Sequence, residues 1–258
     1  MLKSTRLINN INMQEPIVEA YKTIRTNIQF SSLDKSVQLL MVTSANPEEG
    51  KSTTICNLAI TLAQSEKKVL LIDCDLRKPA IHRAFNILNV KGLTNILVEN
   101  LDYSLILNEV GIPCLDVITS GPKPPNPSEL LGSSRMKLFL NQLKKEYDFV
   151  ILDTPPVLPV TDATVLSQMV DGVILVTRYG RTTYESIIKA KENLERVKAN
   201  LLGTVINDTP ITGQHGSYYY YYSNDTEEKN KRRSSRKITS HSETNKINFF
   251  NNTKQGSK

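Results

Sequence analysis

Three cysteines, three histidines and no long apolar run leave this 258-residue chain few routes to function. Cys56, Cys74 and Cys114 stand singly, without the close pairs of a metal or redox motif, and read as reduced core thiols. His82, His215 and His241 are scattered, forming neither a His-Glu-x-x-His pattern nor a Cys/His cluster, so zinc and a histidine base are unsupported. No stretch approaches the roughly 18 uninterrupted apolar residues of a membrane span, and Met1 to Asn10 lacks the apolar run of a signal peptide. The expected location is the cytosol. Excess charge of one sign is also missing from most of the chain. Of the net +6, nine Lys/Arg against four Asp/Glu fall between Ser223 and Lys258, leaving about +1 for everything before them. A specific nucleic-acid-binding face on the folded part is therefore not indicated, although the tail could touch any polyanion.

What the chain does have is an alternation of apolar strands with helical patterns. Apolar runs at Val37 to Ser44, Lys68 to Asp73, Leu115 to Thr119, Phe149 to Asp153, Gly172 to Thr177 and Leu201 to Ile206 read as buried strands. Between them lie helical patterns after Lys51, over Arg77 to Phe85, from Ser128 to about Tyr147, around Asp162 to Val170, and from Tyr184 to about Lys198. A further helix precedes them, with Ile17, Ala20, Tyr21, Ile24 and Ile28 on one face. Near-continuous apolar strands joined by helices predict one α/β domain, a mostly parallel sheet covered by helices on both faces. Residues 1–14 read as a flexible N-terminus. Residues 209–258 lose all periodicity and read as a disordered tail.

The first strand delivers Ala45, Asn46, Pro47, Glu48, Glu49, Gly50, Lys51, Ser52 and Thr53. This is a P-loop pattern with Ala in place of its first Gly, followed by the helix the motif requires. Backbone N–H groups of such a loop cradle a phosphate chain. Lys51 is expected on the β- and γ-phosphates, the Ser52 hydroxyl on Mg2+ and Thr53 on the α-phosphate. The substrate implied is ATP or another nucleoside triphosphate.

Ligands of an open α/β sheet gather at the carboxyl ends of its strands, where Asp73, Asp75 and Asp153 also fall. Asp153, ending an apolar strand before Thr154-Pro155-Pro156, reads as the carboxylate that holds magnesium, often through water. Asp73 and Asp75 beside Arg77 read as two carboxylates of complementary role, one orienting magnesium and the other accepting a hydrogen bond from an attacking hydroxyl. A candidate acceptor lies in the same chain, at Tyr218, Tyr219, Tyr220, Tyr221 and Tyr222. A phenol, with a pKa near 10, is an easier alcohol to activate than serine.

Taken in order, Glu19-Ala-Tyr-Lys22-Thr-Ile-Arg25, the P-loop, Asp73-Cys-Asp75-Leu-Arg77, Pro124-Pro-Asn-Pro-Ser-Glu-Leu-Leu131, Asp153-Thr-Pro-Pro156 and the tyrosine run resemble the bacterial protein-tyrosine kinases of capsule and exopolysaccharide synthesis, in particular the free-standing cytoplasmic subunit. The resemblance implies a P-loop fold, a homo-oligomeric ring assembled through Glu19, Lys22 and Arg25, and phosphorylation of the tyrosine cluster in a neighbouring subunit. It also implies a membrane-anchored activator at the inner face of the cell membrane, a cognate tyrosine phosphatase and further cytosolic protein substrates. Lys22 stands where the family pattern has arginine, keeping the charge without the planar fork. Asn207 matches the place where related ATPases read adenine; a helix or turn cap is the other reading. About thirty-six residues follow Tyr222, unlike the family, and the basic stretch 229–237 suits anionic lipid or plain solvent. The competing function is a partition or division-type ATPase switch. That class carries a second P-loop lysine, and Asn46 occupies its place here. A non-catalytic adaptor is the third reading, opposed by the intact Lys51, Ser52, Asp73 and Asp153.

Overall fold

The computed structural model describes residues 7–8, 16–31 and 37–210, and the backbone of 246–251. The tyrosine cluster 218–222 and the basic segment 229–237 lie outside the described residues.

Helix α1 (Pro16–Phe30) precedes strand β1 (Leu39–Ser44), helix α2 (Lys51–Ala63) and strand β2 (Val69–Asp73). There follow the short helices α3 (Ile81–Ala84) and α4 (Leu93–Glu99), a single 3-10 turn at Tyr103–Ile106, and strands β3 (Asn108–Glu109) and β4 (Leu115–Ile118). Helices α5 (Pro127–Leu131) and α6 (Ser134–Leu143) lead to β5 (Phe149–Asp153), α7 (Asp162–Leu166), β6 (Gly172–Arg178), α8 (Tyr184–Arg196), β7 (Leu201–Thr209) and β8 (Lys246–Asn251). The strands form one sheet in the order β3-β4-β2-β5-β1-β6-β7-β8. All neighbours are parallel except the two outermost pairs, β3 with β4 and β7 with β8, which are antiparallel.

Two cores follow from the two-residue period of a strand. Leu40 and Val42 of β1, Val69 and Leu71 of β2, Ile151 of β5 and Ile174 and Val176 of β6 face α1 and α2, where Tyr21, Ile24, Ile55, Leu58 and Leu62 are buried. The alternate residues Leu39, Met41, Leu70, Ile72, Val150, Leu152, Val173 and Leu175 face the opposite core, with Leu97, Leu140, Leu143, Ala163, Leu166 and Leu194. Both faces are covered, so the central strands carry no polar alternation, as the continuous apolar runs predict.

Several boundaries differ from the sequence reading. The helix expected from Ser128 is two helices: α5 starts one residue earlier and stops at Gly132, where any side chain would press on Val165, and Ser133 then caps α6 by accepting from the Met136 N–H. The helix expected over Arg77 to Phe85 is only the four-residue α3, because Asp73 and Asp75 draw the preceding loop inward. Helix α4, the 3-10 turn and β3 carried no periodic signal. Cys114 is exposed, at φ 64, and so is not a core thiol, whereas Cys56 and Cys74 are buried.

The two expected flexible termini each contain an ordered piece. Leu7 and Ile8 are buried in the first core, and the Ile8 N–H donates to Asn57 Oδ1 at 2.9 Å. In the tail, β8 adds to β7 and lies against α1. An open β7 edge would present a row of unpaired N–H and C=O groups. The alternation Lys246-Ile247-Asn248-Phe249 is a short period-two signal inside the tail read as aperiodic. Among the described residues, no helix is long and apolar enough to cross a membrane.

Candidate nucleotide and phosphoryl-transfer site

Strands β1, β2 and β5 lie side by side, and their C-terminal ends bring the predicted site residues together. Register places Asp73 directly beside Asp153, although eighty positions separate them in the chain. The loop from Ala45 to Gly50 then turns over this end of the sheet and enters α2 at Lys51. Gly50 adopts φ 91, a conformation open to glycine, and a Cβ there would sit 1.9 Å from Asn207 Nδ2. Because Gly50 offers no side chain to cap the helix, the first N–H groups of α2 are left for an anion.

Lys51 is buried. Its ammonium donates to Asp75 Oδ2 at 2.9 Å and to Ser52 Oγ at 3.3 Å, and lies 3.6 Å from Asp153 Oδ1. Burial alone would lower its pKa, but the Asp153 and Asp75 carboxylates outweigh it and hold Lys51 above the ordinary lysine value. It is therefore a cation at any physiological pH.

The three carboxylates divide the work. Asp73 Oδ2 accepts from the N–H groups of Ala80 and Ile81, both at 3.0 Å, and its Oδ1 accepts from the Asp75 N–H at 3.2 Å. Asp73 thus shapes the loop after β2. Burial, reinforced by the negative charge of Asp153, pushes its pKa up to about 7. Asp75 turns the other way, holding Lys51 with one oxygen and the Lys78 N–H with the other, the latter at 2.9 Å. Asp153 is fully buried, and neither of its oxygens has a hydrogen-bond partner. Its pKa is also raised, chiefly by burial, against the pull of Lys51 and Ser52. A buried carboxylate whose oxygens accept no hydrogen bond, with the Lys51 ammonium at 3.6 Å as its counter-charge, is costly unless a further cation completes it.

That vacancy of partners fits Mg2+. Among the described residues no three His, Cys, Asp or Glu side chains converge into a metal cage. Magnesium needs no such cage, since it takes one or two protein ligands and fills its octahedron with water and substrate phosphate; Ser52 and Asp153 are residues that could hold one. Arg77 is bound in a fork to Asp162, Nε to Oδ2 and Nη2 to Oδ1, each at 2.9 Å. The pair pins the post-β2 loop to the start of α7.

Sequence reasoning missed the residues that hold the P-loop from outside. The turn after β6 supplies Arg178, whose Nη1 donates to the Glu48 carbonyl at 3.3 Å, Arg181, paired with Glu48 Oε2 at 2.9 Å, and Thr182, bonded to Glu49. No local pattern distinguishes them. Asn207 was expected at the adenine base; its Nδ2 donates to the Glu49 carbonyl at 3.2 Å, so it supports the loop. The three residues expected to build a ring all lie on α1 and have partners within the subunit. Lys22 pairs with Glu19 at 2.6 Å, and Arg25 donates to the Thr61 carbonyl at 3.1 Å, tying α1 to α2.

A glycine-kinked loop on a buried strand, an uncapped helix start, a buried lysine and a buried aspartate whose oxygens accept no hydrogen bond define a P-loop nucleotide-binding domain. Residues 38–206 match the family described as AAA domain. The chain is 47% identical over 213 residues to the tyrosine-protein kinase YwqD of Bacillus subtilis (strain 168), covering 81% of this chain and 90% of that relative. It is 40% identical over 205 residues to the tyrosine-protein kinase CpsD of Streptococcus agalactiae, covering 78% and 89%. The crystal structure of the chimerical protein CapA2B2 superposes with a TM-score of 0.75 at 41% identity, covering 78% of this chain and 88% of that one. The chain belongs to the bacterial protein-tyrosine kinase family and is itself a protein-tyrosine kinase.

Proposed function

We propose that the chain is an ATP- and Mg2+-dependent autokinase that phosphorylates Tyr218 to Tyr222 of a neighbouring copy, and that this reaction regulates capsular or exopolysaccharide synthesis. The observation that carries the reading is the meeting of Lys51, the buried Asp153 whose oxygens accept no hydrogen bond, and the Asp73/Asp75 pair at one strand end, in a chain that also carries five adjacent phenols.

Magnesium, when bound, would neutralise phosphate charge and fix the β- and γ-oxygens. Ser52 and Asp153 are the residues to hold it. The remaining work falls to the chain. Lys51 supplies positive charge to the phosphates as it leaves Asp75, and the loop and α2 N–H groups orient them. Asp75, freed from the lysine, orients the incoming phenol and takes its proton while the phenolic oxygen bonds to the γ-phosphorus. The bond from that phosphorus to the bridging oxygen breaks, and ADP leaves with the electron pair. The transition state is loose, so positioning and charge dominate over base strength.

Glu19, Lys22 and Arg25 would serve ring assembly by exchanging their present partners for those of an adjacent subunit. A membrane-anchored activator would hold the ring at the inner face of the cell membrane, and a cognate phosphatase would reverse the modification. The partition-type alternative is weakened at Asn46, whose backbone and side-chain N–H groups both donate to Glu49. Such an amide has no charge to offer a neighbour's phosphate.

The test is to incubate the purified chain with ATP and magnesium, with and without an activator segment, and to map phosphate by mass spectrometry. Mixing Lys51→Met protein with a catalytically intact, tail-deleted chain should place phosphotyrosine on the former. Absence of transfer under assembling conditions would rule out the reaction between subunits.

A further inference from the structure

Glu49 presents an anomaly for a phosphate-binding loop. It is a carboxylate only 1% exposed, in the very segment that has to receive a polyanion. Such a group is costly through desolvation and through repulsion of the ligand, unless donors saturate and fix it. Two of its donors are internal to the loop: the Asn46 N–H to Oε2 at 3.1 Å and Asn46 Nδ2 to Oε1 at 3.2 Å. The third arrives from 133 positions away, Thr182 Oγ1 donating to Oε1 at 2.7 Å.

The Thr182 hydroxyl is itself committed in direction. It accepts from the Arg178 N–H at 2.8 Å, so its own proton points to Glu49. A relay therefore runs from the end of β6 through Thr182 and Glu49 to the Asn46 backbone, the first turn of the loop. Thr183, the next residue, caps α8 by accepting from the Ser186 N–H, which fixes the turn at its other end. The neighbouring Arg181–Glu48 pair is exposed on both sides and contributes little. The Thr182–Glu49 bond is charge-assisted and partly buried, the stronger kind.

We propose that Thr182 is a positioning residue for the nucleotide. Its hydroxyl locks Glu49, and through Glu49 the loop stands in its phosphate-accepting shape before nucleotide arrives. The inference rests on the nucleotide-binding reading of the site. Thr182 acts through Glu49, so its loss is felt as affinity, because the ordering that the hydroxyl supplied in advance is then taken from the binding energy.

Full-length Thr182→Val, of nearly the same shape without the hydroxyl, should weaken Mg·ADP binding by about tenfold or more, the scale of one hydrogen bond to a charged group. KM for ATP should rise by a similar factor while kcat at saturating ATP changes less than threefold. Thr182→Ser, which keeps the hydroxyl, should stay within about twofold of wild type. In a Glu49→Gln background the valine substitution should cost less than in the wild type, because the charge served by the hydroxyl is gone. Wild-type affinity in Thr182→Val, equal loss in the valine and serine variants, or an undiminished valine effect in Glu49→Gln overturns the proposal. Should the valine variant fail to fold, Thr182→Ala takes its place in the same comparisons, and wild-type Mg·ADP affinity in Thr182→Ala overturns the proposal. If wild-type protein binds no ADP, the nucleotide reading itself falls; if it binds and Thr182→Val binds equally, only the present inference does.

Discussion

Lys51→Met is the perturbation with the most to reveal, because it strikes both the chemistry and a buried charge cluster. The Lys51 ammonium sits against Asp75 at 2.9 Å and Asp153 at 3.6 Å, with Asp73 alongside. Breaking a buried pair by removing one partner costs about 3–5 kcal/mol, since the other charge stays behind. Methionine recovers part of this by filling the space of the lysine stem with apolar contact, and a net loss of about 3 kcal/mol at pH 8 is expected. The loss should shrink as pH falls. Burial and mutual repulsion already raise the Asp73 and Asp153 pKa values, and removal of the cation raises them further. A carboxylate whose folded pKa lies above its unfolded one binds more protons when folded, so stability falls as pH rises through the interval between the two. The variant should therefore lose stability more steeply than wild type between about pH 5 and 8. Urea denaturation at pH 5.5 and 8 in EDTA, followed by circular dichroism, measures this. On the still-folded variant, phosphotyrosine formation should drop by at least about 10²-fold, the cost of removing one preorganised charge stabiliser. Equal stability of the two proteins at pH 8 would refute the charge-cluster argument. Undiminished phosphotyrosine would refute the site.

Asp171 offers the opposite pH signature. Burial would raise its carboxyl, but the Leu39 and Gln38 N–H groups and Lys144 hold it below the usual value, so its contribution is present above about pH 4 and lost as pH falls through the lowered folded pKa. Asp171→Asn should lower the urea midpoint at pH 7, with the difference from wild type narrowing as pH falls below about 4. Gly50→Ala forces a side chain at φ 91 and displaces Asn207 from the Glu49 carbonyl, which should cost about 1–3 kcal/mol in a thermal melt and reduce ADP binding in isothermal titration. Truncation before Lys246 removes β8 and should speed hydrogen exchange in β7 over Gly203–Thr209, while β1 and β5 exchange as before. Unchanged β7 protection would mean that the tail does not pair there.

Much of the site was legible because its signals are local. Gly50-Lys51-Ser52 after an apolar run is a sequence of backbone and side-chain requirements satisfied within one turn of chain. Asp73 and Asp153 end apolar runs, and a parallel sheet gathers such ends at one edge whatever the strand order. The two-residue period that buries Leu40 and Val42 on one face and Leu39 and Met41 on the other is likewise a property of a few adjacent residues. These features, and the ordered motifs of the family, were written in the chain itself.

Only the tertiary structure decided what those residues face. That β5 inserts between β1 and β2, setting Asp153 beside Asp73, depends on packing between elements far apart in sequence. So does the burial of Lys51 against Asp75, the fork from Arg77 to Asp162, and the grip of Thr182 and Asn207 on the P-loop. A threonine in a turn or an asparagine ending a strand has the same local chemistry whether it meets a loop or water. β8 makes the point at the level of the fold: a four-residue alternation, Lys246-Ile247-Asn248-Phe249, in a polar tail becomes a strand where β7 offers it an unpaired edge. Short-range periodicity fixes which segments become strands and helices, while the partners of a polar side chain are set by which surfaces the folded sheet brings together.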